Sequence, residues 1–502
     1  MSRRLLVANR GEIAVRILRA CREIGIESVA VCSEIDEGAP HAVLADHVVG
    51  IGPAPAADSY LSIPRLIDAA RATGADAVHP GYGFLSENAA FAAACAESGL
   101  TFVGPPADVI ERMGSKIAAR ELMRGAGVPV VPGVTPEHQH RDGVRAAAEG
   151  VGYPLLLKAS AGGGGKGMRV VRSPGQLDEA IEAARREATA AFSDGTLYVE
   201  RLIEAPRHVE IQVMADAHGH VVHLFERECS VQRRHQKVIE ESPSPVLTPA
   251  LRARMGAAAV TAARATGYRN AGTLEFLVEG AGDTAHFYFL EMNTRLQVEH
   301  PVTETVTGVD LVRAQLAIAS GATLPWSQAD LTQRGHALEC RIYAEDPSRG
   351  FLPQAGRLLL YREPTGPGIR VDSGVFEGGE VSVHYDPMLA KLIVGAESRP
   401  AAIARMRAAL RRFPVLGLPT NIPFLLRVLE HEAFVRGEVD TGFIERELGV
   451  LVPSADAGVE RMAAAAAAAV SGASASTAPA SVSASAADVD PWTRLVSWRR
   501  PA

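Results

Sequence analysis

Apolar and polar positions follow two different periods along this chain, and the changes of period mark out its elements. Residues 5–8 are a short apolar run, and residues 12–24 follow with Ile13, Ile17, Leu18 and Cys21 at helical spacing. Residues 28–32 are strand-like again, and similar alternation continues through 77–79 and 101–103. Strand and helix in turn predict an open, mostly parallel α/β sheet over residues 1–114. No Gly-x-Gly-x-x-Gly follows the first strand, so a dinucleotide crevice of that kind is not expected. The loop at 79–88, His-Pro-Gly-Tyr-Gly-Phe-Leu-Ser-Glu-Asn, falls where a strand ends and a helix begins. Such places attract anions, although a capped Gly/Pro turn reads the same way.

The period of two is clearest near residue 295. Glu291, Asn293, Arg295, Gln297 and Glu299 occupy every odd position from 291 to 299, with Met292, Leu296 and Val298 between them. On an extended chain these five polar side chains share one face. The preceding strand-like run, 272–277, carries Glu275, and the turn Glu-Gly-Ala-Gly-Asp at 279–283 would fold the two together as a hairpin. Glu275, Glu291 and Asn293 would then offer oxygen ligands to a hard dication such as Mg2+, held together with nucleotide phosphates. A solvated edge strand is the plainer alternative.

Residues 115–330 hold most of the candidate chemistry, with a sub-domain expected at about 130–202. At 157–168 an apolar run ends in Lys158 and opens into four glycines, then Lys166-Gly-Met. Consecutive glycines let backbone N–H groups approach phosphates and let a loop move. The string is not a Walker A, because Gly167 stands where Ser or Thr is required; a mobile flap over phosphates is the reading, against a plain linker. Residues 198–203 read as a strand running into a short linker, a place where backbone groups can hold an adenine. On an extended chain His208, Glu210 and Gln212 would share one face of 207–213, a spacing that an ordinary amphipathic strand gives equally well. Residues 229–238 carry Gln232, Arg233, Arg234, His235 and Lys237 beside Cys229. That cluster suits an anion pocket better than nucleic acid, because no aromatics interleave it. The nearby cations suggest a lowered thiol pKa, yet a structural role for Cys229 is favoured.

Residues 331–446 form a mixed α+β region, with strands expected at 335–344, 357–362, 381–385 and 390–394 and a helix at 401–411. From 447 the chain turns to alanine, serine and proline, a composition that buries too little apolar area to order itself. A disordered tail is expected there. The overall composition does not alter this picture. The chain has 502 residues, 47% hydrophobic and 22% charged, with a formal net charge of −7, which suits a multi-domain globular protein with no general affinity for nucleic acid. Five scattered cysteines without a CxxC give no disulfide or zinc framework. No signal peptide or membrane span is apparent, so a cytoplasmic enzyme is expected.

Taken together, these strings resemble the biotin carboxylase component of biotin-dependent carboxylases, within the ATP-grasp superfamily. The strings are Leu6-Val-Ala-Asn-Arg-Gly-Glu-Ile-Ala14, the loop 79–88, the glycine loop 158–168, Pro206-Arg-His-Val-Glu-Ile-Gln212, the cluster 229–237, residues 291–304, and Glu339-Cys-Arg-Ile-Tyr-Ala-Glu-Asp-Pro347. The likeness runs from about residue 3 to 446. Stretches 51–57 and 381–392 lean toward acyl-CoA carboxylase α subunits of the 3-methylcrotonyl-CoA type. The resemblance implies that ATP phosphorylates bicarbonate, and that the CO2 released from carboxyphosphate is captured by biotin on a carrier protein. It implies that Lys116, Lys158, Gly164 and Gly165 hold phosphates, that Glu200, Arg201, Leu202 and Ile203 line the adenine, and that His208, Gln232 and His235 lie near the nucleotide. Glu275, Glu291 and Asn293 would take Mg2+ or Mn2+. Lys237, Arg295, Gln297 and the Val298 backbone would hold bicarbonate, Glu299 would be the general base, and Arg341 would stabilise the biotin enolate.

The carrier signature Met-Lys-Met does not occur in these residues. Biotin is therefore expected on a separate carrier protein, with a carboxyltransferase subunit also in trans and a homodimer or larger assembly around them. The end of the sequence, with Trp492 and Trp498, looks similar to the opening of the next domain in longer α subunits. Another ATP-grasp carboxylate ligase would share the nucleotide site but not Arg341 with residues 295–299. A non-catalytic nucleotide-binding scaffold would have lost acids or lysines, and none is missing.

Overall fold

The computed structural model describes residues 3–160 and 167–452. Gly164 and Gly165, most of the expected flap, and the tail with Trp492 and Trp498 lie outside the described residues.

The N-terminal strands Arg4–Val7, Glu27–Cys32, His47–Gly50, Ala77–His79 and Thr101–Phe102 form one parallel sheet, with Arg4–Val7 at its centre. Leu5 and Val7 face a core shared with helix Leu311–Ala319, while Leu6 and Ala8 face helices Ile63–Thr73 and Ala89–Glu97. Both faces are covered, which is why the run is continuously apolar rather than alternating. Helix Gly11–Ile24 stops at Gly25, whose φ of 72° is the left-handed conformation that closes a helix cheaply only for glycine.

A second, four-stranded sheet joins Gly133–Val134, Leu197–Arg201, Leu155–Ala159 and Arg169–Val171 in that order. Helices Arg141–Val151 and Leu177–Phe192 back it, and Val144, Leu155, Leu157, Ile181, Leu197 and Val199 make a small core of their own.

The third sheet is the scaffold of the site. Its eight antiparallel strands run in the order His286–Asn293, Asn270–Glu279, Arg207–Ala215, Val221–Arg233, Gln236–Ser242, His336–Tyr343, Met388–Ala396 and Ile369–Ser373. It is continuous across residue 330, because Gln236–Ser242 pairs directly with His336–Tyr343.

Several expected elements differ. The run at 289–299 is a strand only as far as Asn293; residues 294–299 leave the sheet and turn into helix His300–Thr307. The strand expected at 357–362 is two short pieces, Gly356–Arg357 and Leu360–Tyr361, each paired with a different neighbour. At 381–385 only Val381 belongs to a strand, and residues 382–387 form a loop. The tail does not begin at 447, since helix Phe443–Leu451 continues past it with Phe443, Ile444 and Leu451 buried in the C-terminal core. Helical spacing of apolar residues outweighs the composition there.

Candidate active site

Four neighbouring strands place one charged residue each in a single row. Arg227 stands opposite Glu210, Glu210 opposite Glu275, and Glu275 opposite Glu291. Like charges side by side on a sheet repel, and three acids in succession need cations. Lys237, from the hairpin strand Gln236–Ser242, supplies one. Its Nζ donates to Glu210 Oε2 at 2.5 Å, Glu275 Oε1 at 2.8 Å and Glu299 Oε1 at 2.7 Å. Arg227, wholly buried, closes the other end, donating from Nε to Glu210 Oε1 at 2.5 Å and from Nη1 to Gln212 and Thr303. Burial works against the Lys237 charge, yet its three carboxylates hold the ammonium well above the ordinary lysine value.

The turn after Asn293 then brings the remaining polar residues onto this row. Asn293 Nδ2 donates to Glu275 Oε1 at 2.8 Å and Gln297 Nε2 to the same oxygen at 3.2 Å. Arg295 donates to Asn293 Oδ1 at 3.0 Å, to Gln297 Oε1 at 2.8 Å, and to Glu87 Oε2 at 2.9 Å. Glu87 belongs to the loop 79–88, and its Oε1 also accepts from the Thr294 backbone N–H at 3.0 Å. Glu299 is fully buried. One of its oxygens meets Lys237 and the other accepts from Arg341 Nη2 at 3.0 Å, while Arg341 Nε donates to Glu240 at 2.6 Å. Burial alone would raise the Glu299 carboxyl; Lys237 and Arg341 overcome that and hold it well below the usual carboxylate range.

Glu291 has the opposite balance. Burial pushes its carboxyl up, and the neighbouring Glu275 charge adds to the effect. Glu275 itself is lowered despite burial, by Lys237 and by His208, whose Nε2 lies 2.8 Å from Glu275 Oε2. Two carboxylates facing each other across a strand pair, one of them destabilised by the other's charge, with an amide oxygen at Asn293, form a hard-oxygen donor set suited to Mg2+ or Mn2+. In this arrangement Glu275 and Asn293 are engaged by Lys237 and Arg295.

A second group lies toward the four-stranded sheet. Lys158 Nζ donates to Glu200 Oε2 at 2.7 Å, and Arg120 Nη1 donates to Glu200 Oε1 at 2.5 Å. Burial opposes the Lys158 charge, but Glu200 keeps it above the ordinary lysine value. Lys116 opens helix Lys116–Gly125, and burial lowers its ammonium while Glu291 resists. His235, at the hairpin turn, is lowered by burial and by Lys158. Gln232 stands opposite Lys237 in that hairpin. Arg201 goes elsewhere. Its guanidinium pairs with Glu279 at 2.8 Å and with the Tyr288 hydroxyl at 3.1 Å, away from Glu200. Leu202 and Ile203 follow the strand end, where Leu202 N–H donates to Pro154 O at 3.2 Å.

Cys229 Sγ lies 4.0 Å from Glu299 Oε1. Burial and the Glu210 charge push its thiol well above the ordinary value, opposite to the lowering that the adjacent basic string suggested. The sequence pattern also gave no role to Arg120, Arg227, Glu87, Glu240 or Lys391. Each acts across a tertiary contact. Glu87 and Lys391 lay inside strings already singled out, 79–88 and 381–392, but neither was given a part in the site.

Comparison with known proteins gives the family of the chain. Residues 1–110 match the family described as biotin carboxylase, N-terminal domain; residues 115–327 match carbamoyl-phosphate synthase L chain, ATP binding domain; and residues 339–446 match biotin carboxylase C-terminal domain. Biotin carboxylase 1 of Bacillus subtilis is 52% identical over 89% of this chain and 98% of its own length. The mitochondrial methylcrotonoyl-CoA carboxylase subunit alpha of Glycine max is 52% identical over 88% of this chain, which spans only 60% of that protein. Among solved structures, the biotin carboxylase domain dimer of Hydrogenobacter thermophilus 2-oxoglutarate carboxylase, in complex with MgADP, ADP and bicarbonate, superposes with a TM-score of 0.86. It is 46% identical and covers 91% of this chain and 100% of that one.

Proposed function

The chain belongs to the biotin carboxylase family of ATP-dependent ligases that carboxylate biotin, and from that premise we propose how its residues divide the work. ATP lies with its phosphates toward Lys116, Lys158, Gly164 and Gly165 and its adenine against the segment Glu200, Arg201, Leu202 and Ile203. His208, Gln232 and His235 lie along the nucleotide. Glu275, Glu291 and Asn293 hold Mg2+ or Mn2+, which supplies charge neutralisation at the phosphates. Lys237, Arg295, Gln297 and the Val298 backbone receive bicarbonate. Glu299 takes the bicarbonate proton as the bicarbonate oxygen attacks the γ-phosphorus, ADP departs, and the carboxyphosphate formed breaks into CO2 and phosphate. Biotin N1′ then gives its proton to the phosphate released beside it and bonds the CO2, while Arg341 faces the charge that develops on the ureido oxygen, a contact useful mainly in the transition state.

The observation that carries this reading is the convergence of Lys237 and Arg341 on the buried carboxylate of Glu299, at 2.7 and 3.0 Å. A carboxylate held so low is a poor base until a cation lets go. An incoming bicarbonate that competes for Lys237 removes that restraint, so the base strengthens when its substrate is present. Replacing Glu299→Gln tests it. Nucleotide binding should persist while bicarbonate-dependent ATP cleavage falls by about 10²–10⁴; a parallel loss of nucleotide affinity would point to a structural role instead.

The acceptor biotin arrives on a carrier protein, with a carboxyltransferase subunit as the second partner and a homodimer as the assembly. The acyl group is not fixed by this site; 3-methylcrotonyl-CoA is the preferred proposal, acetyl- and propionyl-CoA the alternatives. Among the described residues no helix is long and apolar enough to cross a bilayer; a cytoplasmic setting is proposed.

A further inference from the structure

We infer that Lys391 positions the base: its ammonium holds the carbonyl just ahead of Glu299 and so sets the direction in which that carboxylate is presented. The inference rests on reading Glu299 as the base. Lys391 lies in strand Met388–Ala396, and its side chain is wholly buried. An ammonium in that position is costly unless its donors are satisfied. Its Nζ donates to Val298 O at 2.7 Å, and stands 3.3 Å from Glu12 Oε2 and 3.8 Å from Asp372 Oδ2. The Tyr82 ring centroid is 5.7 Å away.

These partners come from four separate stretches of chain. The Val298 carbonyl belongs to the peptide whose nitrogen is that of Glu299, in the turn that opens helix His300–Thr307. That turn is loosely tied by its own backbone: His300 N–H reaches Gln297 O at 3.3 Å and Val302 N–H reaches Glu299 O at 3.3 Å. The His300 ring adds a 2.8 Å contact to Gln297 O, but the charge-assisted bond on the 298–299 peptide itself is the external one from Lys391. Glu12 cannot drift away and take Lys391 with it. A Cβ at Gly374 would lie 2.5 Å from the Glu12 backbone nitrogen, so that loop presses directly on the first turn of helix Gly11–Ile24. Rotation of the 298–299 peptide would swing Glu299 away from both Lys237 and Arg341, and misplacement of a reacting group by about 1 Å can cost about 100-fold in rate. Lys391 itself touches no reacting atom and is a positioning residue.

The test compares Lys391→Met, Lys391→Arg, Glu12→Gln and Glu299→Gln in the full chain, measuring bicarbonate-dependent ATP cleavage and, separately, the Kd for ADP. Lys391→Met should lower kcat by about 10–100-fold while the ADP Kd stays within about twofold, and Lys391→Arg should recover part of the loss. An unchanged kcat, or nucleotide affinity lost in step with kcat, would overturn the inference. Should Lys391→Met fail to fold, Glu12→Gln decides. It leaves Lys391 in place without its nearest carboxyl neighbour, so a smaller fall in kcat at unchanged ADP affinity supports the inference and wild-type kcat overturns it. Glu299→Gln separates the two claims: activity in that variant defeats the base assignment itself, whereas its inactivity beside a fully active Lys391→Met defeats only the positioning role.

Discussion

Cys229 shows how little a local string says about reactivity. Arg233, Arg234 and Lys237 surround it in sequence, which reads as a cationic setting for a thiolate. In the fold Arg233 turns to Glu345, and the atoms that meet the sulfur include Glu299. Burial comes first, and the Glu210 and Glu299 charges add to it, so the thiol stays protonated well past its ordinary value. The thiolate is the reactive form. Its population at pH 8 is therefore negligible, and raising the pH to 9 should not restore it. Iodoacetamide at pH 8 should leave Cys229 unmodified in the folded enzyme and alkylate it after denaturation, as read by peptide mass spectrometry. An adduct on the native protein would contradict the buried carboxylate environment. Glu87 teaches the same lesson in reverse. It looked like one residue of a capped turn, and the structure makes it the anchor of Arg295 and Thr294.

Among elements, strand Asn270–Glu279 carries the most consequence per residue. Thr273 accepts from Arg227, Glu275 joins the charged row, and Gly272 lies beneath the Tyr268 ring. A Cβ at Gly272 would collide with that ring, which is buried and tied by its hydroxyl to Ala271 O at 2.9 Å. Gly272→Ala should therefore destabilise the fold by roughly 1–3 kcal/mol through overpacking, seen as a lower Tm; an unchanged Tm would mean the ring moves freely. The period-two pattern did reveal this strand and its partner, down to the hairpin that sets Glu275 against Glu291. Alternation failed beyond Asn293, because a repeating pattern does not announce where pairing ends. The odd-numbered side chains still converge, but through a turn rather than a shared strand face. Arg357 to Arg362 failed for a similar reason: two residues of strand on either side of a kink carry too few positions to show a period. The parallel first sheet was legible because helix and strand alternate there over a long stretch.

At the scale of the whole molecule, the sheet that holds the site disregards the division expected at residue 330. Val231, Val238 and Ile239 share one core with Leu338, Cys340 and Leu392. Residues 1–330 expressed alone would leave strand Gln236–Ser242 as an open edge with that core uncovered. The fragment should aggregate on size-exclusion chromatography, and a monomeric fragment that unfolds cooperatively would show that 330 is a true domain limit. Sequence reading sees breaks in composition, and none occurs where two distant strands pair, so this continuity was hidden. It has a consequence for how the protein is made. Strand Gln236–Ser242 leaves the ribosome with its hydrogen-bonding edge exposed, and its partner His336–Tyr343 follows roughly 100 residues later, about 5–20 s at ordinary rates of synthesis. Lys237 sits on the waiting strand, and Arg341 arrives with the late one. The nascent chain thus spends that interval with half a site and an adhesive edge, which makes this window the natural point for chaperone engagement and for translation speed to govern yield.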